Sequence, residues 1–268
     1  MPEIVAEGVR LHYVERAGTG EPIIFLHGHH GTHHAWDDLI EHLPGPYRAL
    51  AFDLRGCGDS DKPPAAYAPV DYAGDLHHAA DALGIGRFTL VGYSLGGVAA
   101  VQAALDQPSR ISRLVLVAVG ALDGIPPERL RPPQAPPPRE TRRSGLLSMM
   151  ARNLSEARIE QLLDDEETWT PQASQGAIEE LRVLNLGERL GELRMPALVA
   201  VGDRDALLDG NLSAAARLPD AGLQVYYRAS HLLPMELPRE LASLIDDFVA
   251  TNPSLESAAG RGNTVDAR

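Results

Sequence analysis

The 268-residue chain is 44% apolar and 23% charged, with a formal net charge of −13. That composition can bury one large core, and its acidic balance excludes the phosphate backbone of nucleic acid as a natural partner. No apolar run reaches the ~18–20 residues of a membrane helix, so neither a nucleic-acid nor a membrane partner is expected. The single cysteine, Cys57, rules out an intrachain disulfide. MPEIVAEGVRLHY also lacks the basic start and apolar stretch of a signal peptide, and a cytoplasmic location is the expectation.

Taken in chain order, EIVAEG and VRLHYVE predict an N-terminal hairpin, followed by strands in PIIFLH, YRALAFD, FTLVGYS and LVLVAVG. Helical patterns separate most of them: HHAWDDLIEHL, VDYAGDLHHAADALG and LGGVAAVQAALDQ. Continuous Val/Ile/Leu runs indicate strands covered on both faces, hence an α/β chain with a mainly parallel sheet. After Gly120 the rhythm breaks. Residues 121–142 include IPPERLRPPQAPPPRE, too proline-rich for a helix or a central strand. Helical segments follow in LSEARIEQLLDDE and QGAIEELRVLNLGERLGEL. The alternation resumes with PALVAVGD, NLSAAARLP, LQVYYRA and LPRELASLIDDFVA. The expected organisation is a core of residues 1–121 and 193–250, an insertion at 122–192 and a frayed, small and polar tail at 251–268.

The strongest chemical signal is Gly92-Tyr93-Ser94-Leu95-Gly96, between an apolar strand and an apolar helix. A G-x-S-x-G elbow needs that setting. The serine sits on a sharp strand-to-helix turn where side chains two positions away would collide, so both flanking positions are glycine. The amide of Leu95 opens the next helix, where free N–H groups and the helix dipole stabilise a developing oxyanion. A serine hydroxyl needs a base, and the base needs an orienting acid. Asp205 lies in the loop after PALVAV, with Asp203 two residues away, and His231 lies just past LQVYYRA. Both loops fall at carboxyl ends of strands, where open parallel sheets bind ligands. Asp123, after LVLVAVG, is a weaker rival acid.

These residues resemble the α/β-hydrolase superfamily, and the likeness spans all but the insertion and tail. FLHGHHG, AFDLRGCGDSDKP, LVGYSLGG, ALVAVGDRDALL and SHLLPMELP are similar to segments of capped members related to esterases and carbon–carbon bond hydrolases. The resemblance implies an α/β-hydrolase fold: a mostly parallel eight-stranded sheet flanked by helices, with a small, mainly helical lid inserted after strand 6. It implies Ser94 as nucleophile, Asp205 as acid, His231 as base and His29 as donor of the second oxyanion amide. The Asp53–Ser60 stretch matches a structural turn of the family. Ser230 departs from the glycine usual before the histidine.

The His-rich tract FLHGHHGTHHAW thus falls on the oxyanion loop rather than in a metal motif. His27 is expected to buttress that loop and His30 to reach the pocket, while His33 and His34 start a helix, exposed or packed. Tyr93, Met149 and Met150 are further candidate substrate-binding residues; Leu146, Leu147, Met149 and Met150 are expected on the lid's underside. Arg129, Arg131, Arg139, Arg142, Arg143 and Arg152 outnumber Glu128 and Glu140 across 128–152. They are expected on a solvated lid surface, and Cys57 in a tight turn. The implied activity is hydrolysis of a carboxylic ester or lactone of a small hydrophobic substrate, without metal or other cofactor, by a monomer or homodimer. A carbon–carbon bond hydrolase of a vinylogous diketone and a non-catalytic ligand receptor on the same fold are the alternatives.

Overall fold

The computed structural model describes residues 2–126 and 137–251. Residues 127–136, with Glu128, Arg129 and Arg131, and the tail from 252 onward lie outside the described residues, as do the expectations made for them.

Eight strands form one sheet: β1 (Glu3–Ala6), β2 (Val9–Arg16), β3 (Pro22–Leu26), β4 (Arg48–Phe52), β5 (Phe88–Tyr93), β6 (Ile111–Val117), β7 (Ala197–Gly202) and β8 (Ala221–Tyr226). Their order is β1-β2-β4-β3-β5-β6-β7-β8. The hairpin β1/β2 and the β2/β4 pair are antiparallel, and every later neighbour is parallel. In β5, β6 and β7 every residue is buried, as expected of strands covered on both faces. The register aligns Leu26 with Gly92 and Gly92 with Leu116, so the chain leaves neighbouring strands at one sheet edge.

One face is covered by α2 (Pro69–Ala82), α3 (Leu95–Asp106) and α7 (Leu208–Arg217), which contribute Leu76, Val98, Ala99 and Ala214 to one apolar cluster. The other is covered by α1 (Asp37–Glu41), α8 (Leu233–Glu236) and α9 (Pro238–Thr251), whose Leu39, Leu233, Leu241 and Ile245 pack with Trp36 and Phe25. This is the α/β-hydrolase fold.

Between β6 and β7 run α4 (Arg139–Met149), α5 (Glu156–Glu167) and α6 (Pro171–Arg182). Ser155 and Thr170 cap α5 and α6, each accepting a backbone N–H three residues on. The structure departs from the sequence reading twice here. A helix begins at Arg139, inside the stretch read as too proline-rich, because the last proline, Pro138, sits at the N-cap, where no backbone N–H is needed. The helical pattern read through 175–193 stops at Arg182, and a separate 3-10 helix spans Gly187–Glu192. The chain turns away there because the amides of Leu186 and Gly187 both donate to Leu122 O.

Candidate active site

The elbow after β5 has the strain its sequence implies. Ser94 adopts φ 50°, ψ −114°, a left-handed conformation that costs on the order of 1–3 kcal/mol and persists only where surroundings enforce it. They do: Ser94 N donates to Val117 O at the end of β6, while Ser94 O accepts from Gly97, Val98 and Gly120. A β-carbon at Gly92 would lie 2.4 Å from Gly96 O, and one at Gly96 would lie 2.3 Å from Leu26 O. No side chain fits at either position.

The loops after β7 and β8 bring the other two candidates to Ser94. Asp203 N donates to Tyr226 O, Arg204 N to Ala229 O, and Asp203 Oδ1 accepts from Ala229 N, so the two loops are laced together. Asp203 is spent on that lacing. Asp205, buried with 6% exposure, receives the His231 Nδ1–H at 2.9 Å on Oδ2 and the Leu207 N–H at 2.8 Å on Oδ1. His231 Nε2 in turn lies 3.0 Å from Ser94 Oγ, positioned to accept its proton. The rival Asp123 is exposed and paired with Arg217 at 2.6 Å. The structure therefore assembles Ser94, His231 and Asp205 into one hydrogen-bonded chain, an arrangement that makes a serine hydroxyl nucleophilic at neutral pH.

Leu95 is the first residue of α3, so its amide lacks an intrahelical acceptor. Across from it, a β-carbon at Gly28, the residue before His29, would lie 3.0 Å from Ser94 Cβ, so the loop after β3 passes close beside the elbow. Among the described residues neither the Leu95 nor the His29 amide donates to another protein group. His27 holds this loop from beneath: its Nδ1–H donates to Gly28 O at 2.8 Å, and its Nε2 accepts from Leu54 N at 3.0 Å. Burial lowers the His27 pKa to about 4, which keeps the ring in the neutral tautomer that those bonds require.

The remaining histidines of the tract serve contacts within the fold. The rings of His29 and His30 stack with centroids 3.9 Å apart. His29 Nε2–H donates to Ser174 O at 3.2 Å, and Ser174 Oγ lies 2.8 Å from His30 Nε2. Burial lowers the pKa of His29 to about 3 and that of His30 also. His33 is buried, with backbone N–H and Nδ1–H both on Asp53 Oδ1; His34 is half-buried on Asp37 at 2.7 Å. The Asp53 carboxylate, which also accepts from Asp59 N and His12, is ionised despite its burial, because the side-chain and backbone hydrogen bonds from His33 hold it below the ordinary carboxylate range. His12, His33 and Asp53 group their ligand atoms closely enough for a metal, as do His33, His34 and Asp37. In the first group both imidazoles already hydrogen-bond directly to the carboxylate. Cys57 is fully buried, with Sγ–H on Leu54 O at 3.2 Å.

Of the other candidates, Tyr93 is buried and its ring stands against His231, centroids 5.3 Å apart. Met150 packs with Leu146 against the core cluster beneath. Met149 does not: it is 59% exposed and Leu147 is 45% exposed. Leu146 near the end of α4 and Met150 just past its last residue both turn inward, and the residues between them are exposed. Three of the arginines expected on a solvated surface are paired with α5: Arg139 with Glu160, Asp164 and Glu167, Arg142 with Glu166 and Glu167, Arg143 with Glu156 and Glu160. Two contacts with the Gly28–Gly31 loop had no signal in the sequence. Trp169 Nε1 donates to Gly31 O at 2.8 Å, and Ser174 engages both His29 and His30.

With this sheet, elbow and loop arrangement, the chain belongs to the α/β-hydrolase fold family, whose profile matches residues 21–175. A 2-hydroxy-6-oxononadienedioate/2-hydroxy-6-oxononatrienedioate hydrolase of Burkholderia vietnamiensis is 28% identical over 92% of this chain and 93% of its own. A thermophilic esterase from Thermogutta terrifontis, solved with malate bound, superposes with a TM-score of 0.78 at 25% identity, over 94% of this chain and 99% of that one. The enol-lactonase from Burkholderia xenovorans LB400 superposes with a TM-score of 0.81 at 21% identity, over 93% of this chain and 100% of that one, and shares the fold. Among the described residues no helix is long and apolar enough to cross a membrane.

Proposed function

We propose that the protein is a serine hydrolase that cleaves an uncharged carboxylic ester or lactone of a small hydrophobic substrate. Ser94 Oγ attacks the carbonyl carbon as His231 Nε2 takes its proton, and Asp205 holds the imidazole by its Nδ1–H. The amides of His29 and Leu95 receive the oxyanion. His231 then returns the proton to the leaving alkoxide; in the second half His231 deprotonates a water that attacks the same carbon, the bond from that carbon to Ser94 Oγ breaks as His231 gives the proton back to Ser94, and the acid is released. No cofactor enters this scheme. The α4–α6 segment is the lid, and the partner is the small-molecule substrate alone, bound by a cytoplasmic monomer or homodimer.

The observation that carries the reading is the unbroken chain Asp205 Oδ2, His231, Ser94 Oγ, at 2.9 and 3.0 Å. The preference for an uncharged substrate rests on the imidazoles of the oxyanion loop. Burial keeps His29 neutral and lowers His30 too, and the Arg142 guanidinium that acts on His30 is paired with Glu166 and Glu167. A dianionic substrate would meet little fixed positive charge there. The full-length likeness to a dienedioate hydrolase supports carbon–carbon bond cleavage as the second reading.

A fluorophosphonate probe followed by peptide mapping, run beside a panel of p-nitrophenyl esters, lactones and a vinylogous diketone, tests both. The expected result is a single adduct on Ser94 with esters or lactones turned over fastest. Faster turnover of the diketone would favour the second reading, and an inert Ser94 in a protein that still binds small molecules would replace both with a receptor.

A further inference from the structure

Glu236, on α8 five residues after His231, is 9% exposed, yet no salt bridge to it is seen among the described residues. Its carboxylate is held by four donors. Oε2 accepts the Ser230 N–H at 2.7 Å, and Oε1 accepts the Ser230 hydroxyl at 2.9 Å. Oε1 also accepts the backbone amides of Ala151 and Arg152, at 2.7 and 3.1 Å, from the connection between α4 and α5. A buried carboxylate is tolerable only when such charge-assisted bonds replace its hydration. The Ser230 hydroxyl completes the web by accepting the Leu232 N–H at 3.1 Å, so Ser230 is fastened directly to Glu236 and Leu232 is tied to it through Ser230. The Arg152 guanidinium adds bonds to Tyr227 O and Arg228 O just upstream.

We propose that Ser230 and Glu236 are positioning residues that fix His231 against Ser94 only while the α4–α5 connection is seated. The inference rests on the hydrolase reading above. Lifting that connection removes two of the four donors from a buried carboxylate. The carboxylate must then turn toward water or a new donor, and Ser230, bonded to both of its oxygens, moves with it. His231 is the next residue, and its Nε2 must stay within hydrogen-bond reach of Ser94 Oγ for catalysis. The serine is the feature that departs from the family's usual glycine: with glycine at 230 the Leu232 amide and Oε1 would each lose a partner.

The test is p-nitrophenyl acetate hydrolysis and fluorophosphonate labelling of the full chain, with melting temperature recorded for each variant. Three variants are used: Glu236→Gln, which keeps shape but replaces an acceptor oxygen with a donor; Ser230→Gly; and Ala151→Pro, which deletes one insertion amide. Met150, at φ −67°, ψ 134°, already has the conformation required before proline. Misplacement of the base should lower kcat about tenfold or more in Glu236→Gln and about fivefold in the other two, with KM moved less than about twofold. Because the relay is one unit, Ala151→Pro/Glu236→Gln should be no slower than Glu236→Gln alone. Unchanged kcat in Ser230→Gly and Ala151→Pro, or losses that multiply in the double variant, would overturn the relay. Ser230→Gly leaves the carboxylate and both insertion amides intact, so it decides the matter even if Glu236→Gln fails to fold. A wild-type protein that neither hydrolyses the ester nor takes up the probe would instead overturn the hydrolase reading itself.

Discussion

β5 buries all six of its residues, whereas α4 buries none. The strand is held by apolar packing on two faces and by ladders to β3 and β6. The helix is held by ion pairs from Arg139, Arg142 and Arg143 to α5, with Leu146 and Met150 supplying partial apolar contact. A scaffold cohering by burial fixes Ser94 rigidly; an insertion cohering by charge can be adjusted without disturbing it. Exposed ion pairs contribute little each, typically ~0–1 kcal/mol, and respond to salt, while buried apolar contacts do not.

The largest effect expected on the scaffold side is chemical. Ser94→Ala should lower turnover of any ester the enzyme accepts by roughly 10⁴–10⁶-fold while leaving the melting temperature within a few degrees. Near-wild-type turnover by that variant would remove the nucleophile from the elbow. Next comes acid. His27 is bound neutral, its pKa lowered to about 4 by burial, so between the unfolded value of 6.5 and pH 4 the unfolded chain binds the extra proton. Stability from this group is complete above pH 6.5 and is lost as pH falls toward 4, by about 3 kcal/mol in all. His29 and His30, also lowered by burial, add to the loss in the same window, while Asp53, held low, adds its own only below the ordinary carboxylate range. Denaturant titrations at pH 7 and pH 4.5 read the sum for the buried histidines, and a flat profile would contradict a neutral buried His27.

Glycine-to-alanine substitution then separates the two regions by sign. At Gly96 the new β-carbon would lie 2.3 Å from Leu26 O, and the strand or elbow must shift, costing about 2–3 kcal/mol. At Gly145, inside α4, nothing lies within 4 Å, and the same change should stabilise the helix by about 0.5–1 kcal/mol. Denaturation midpoints of the two variants test the contrast. The smallest effect is that of salt. Raising NaCl to about 1 M shortens the screening length to ~3 Å, and amide exchange over 139–149 should accelerate while β5 stays protected. Equal exchange at low and high salt would mean that the ion pairs do not hold α4.

How much of this could be read in advance followed the same division. Continuous apolar runs announced β5, β6 and β7, since a strand covered on both faces leaves no other pattern. Gly92 and Gly96 announced the elbow, because only backbone crowding demands glycine on both sides of a serine. The resemblance pointed to Asp205 over Asp203 although both sit in one loop, and the physical reason is visible only in the structure, where Asp203 is laced to Ala229 and Asp205 meets His231. In the insertion, the side of α4 that faces inward depends on where α5 lies. Leu147 and Met149 thus carried the same apolar signal as Leu146 and Met150 and ended outside. Trp169 and Ser174 reach the loop that carries His29–Gly31 across 138 to 145 residues of chain, a separation over which local pattern carries no information.

The seclusion of Cys57 supplies a built-in gauge of breathing. Its sulfur is wholly enclosed, burial pushes its pKa up, and it is the only thiol in the chain. An alkylating reagent can reach it only when the Asp53–Ser60 turn comes apart. The rate of its modification in the intact protein therefore clocks the opening of the turn that braces His27, with no label or engineered reporter required.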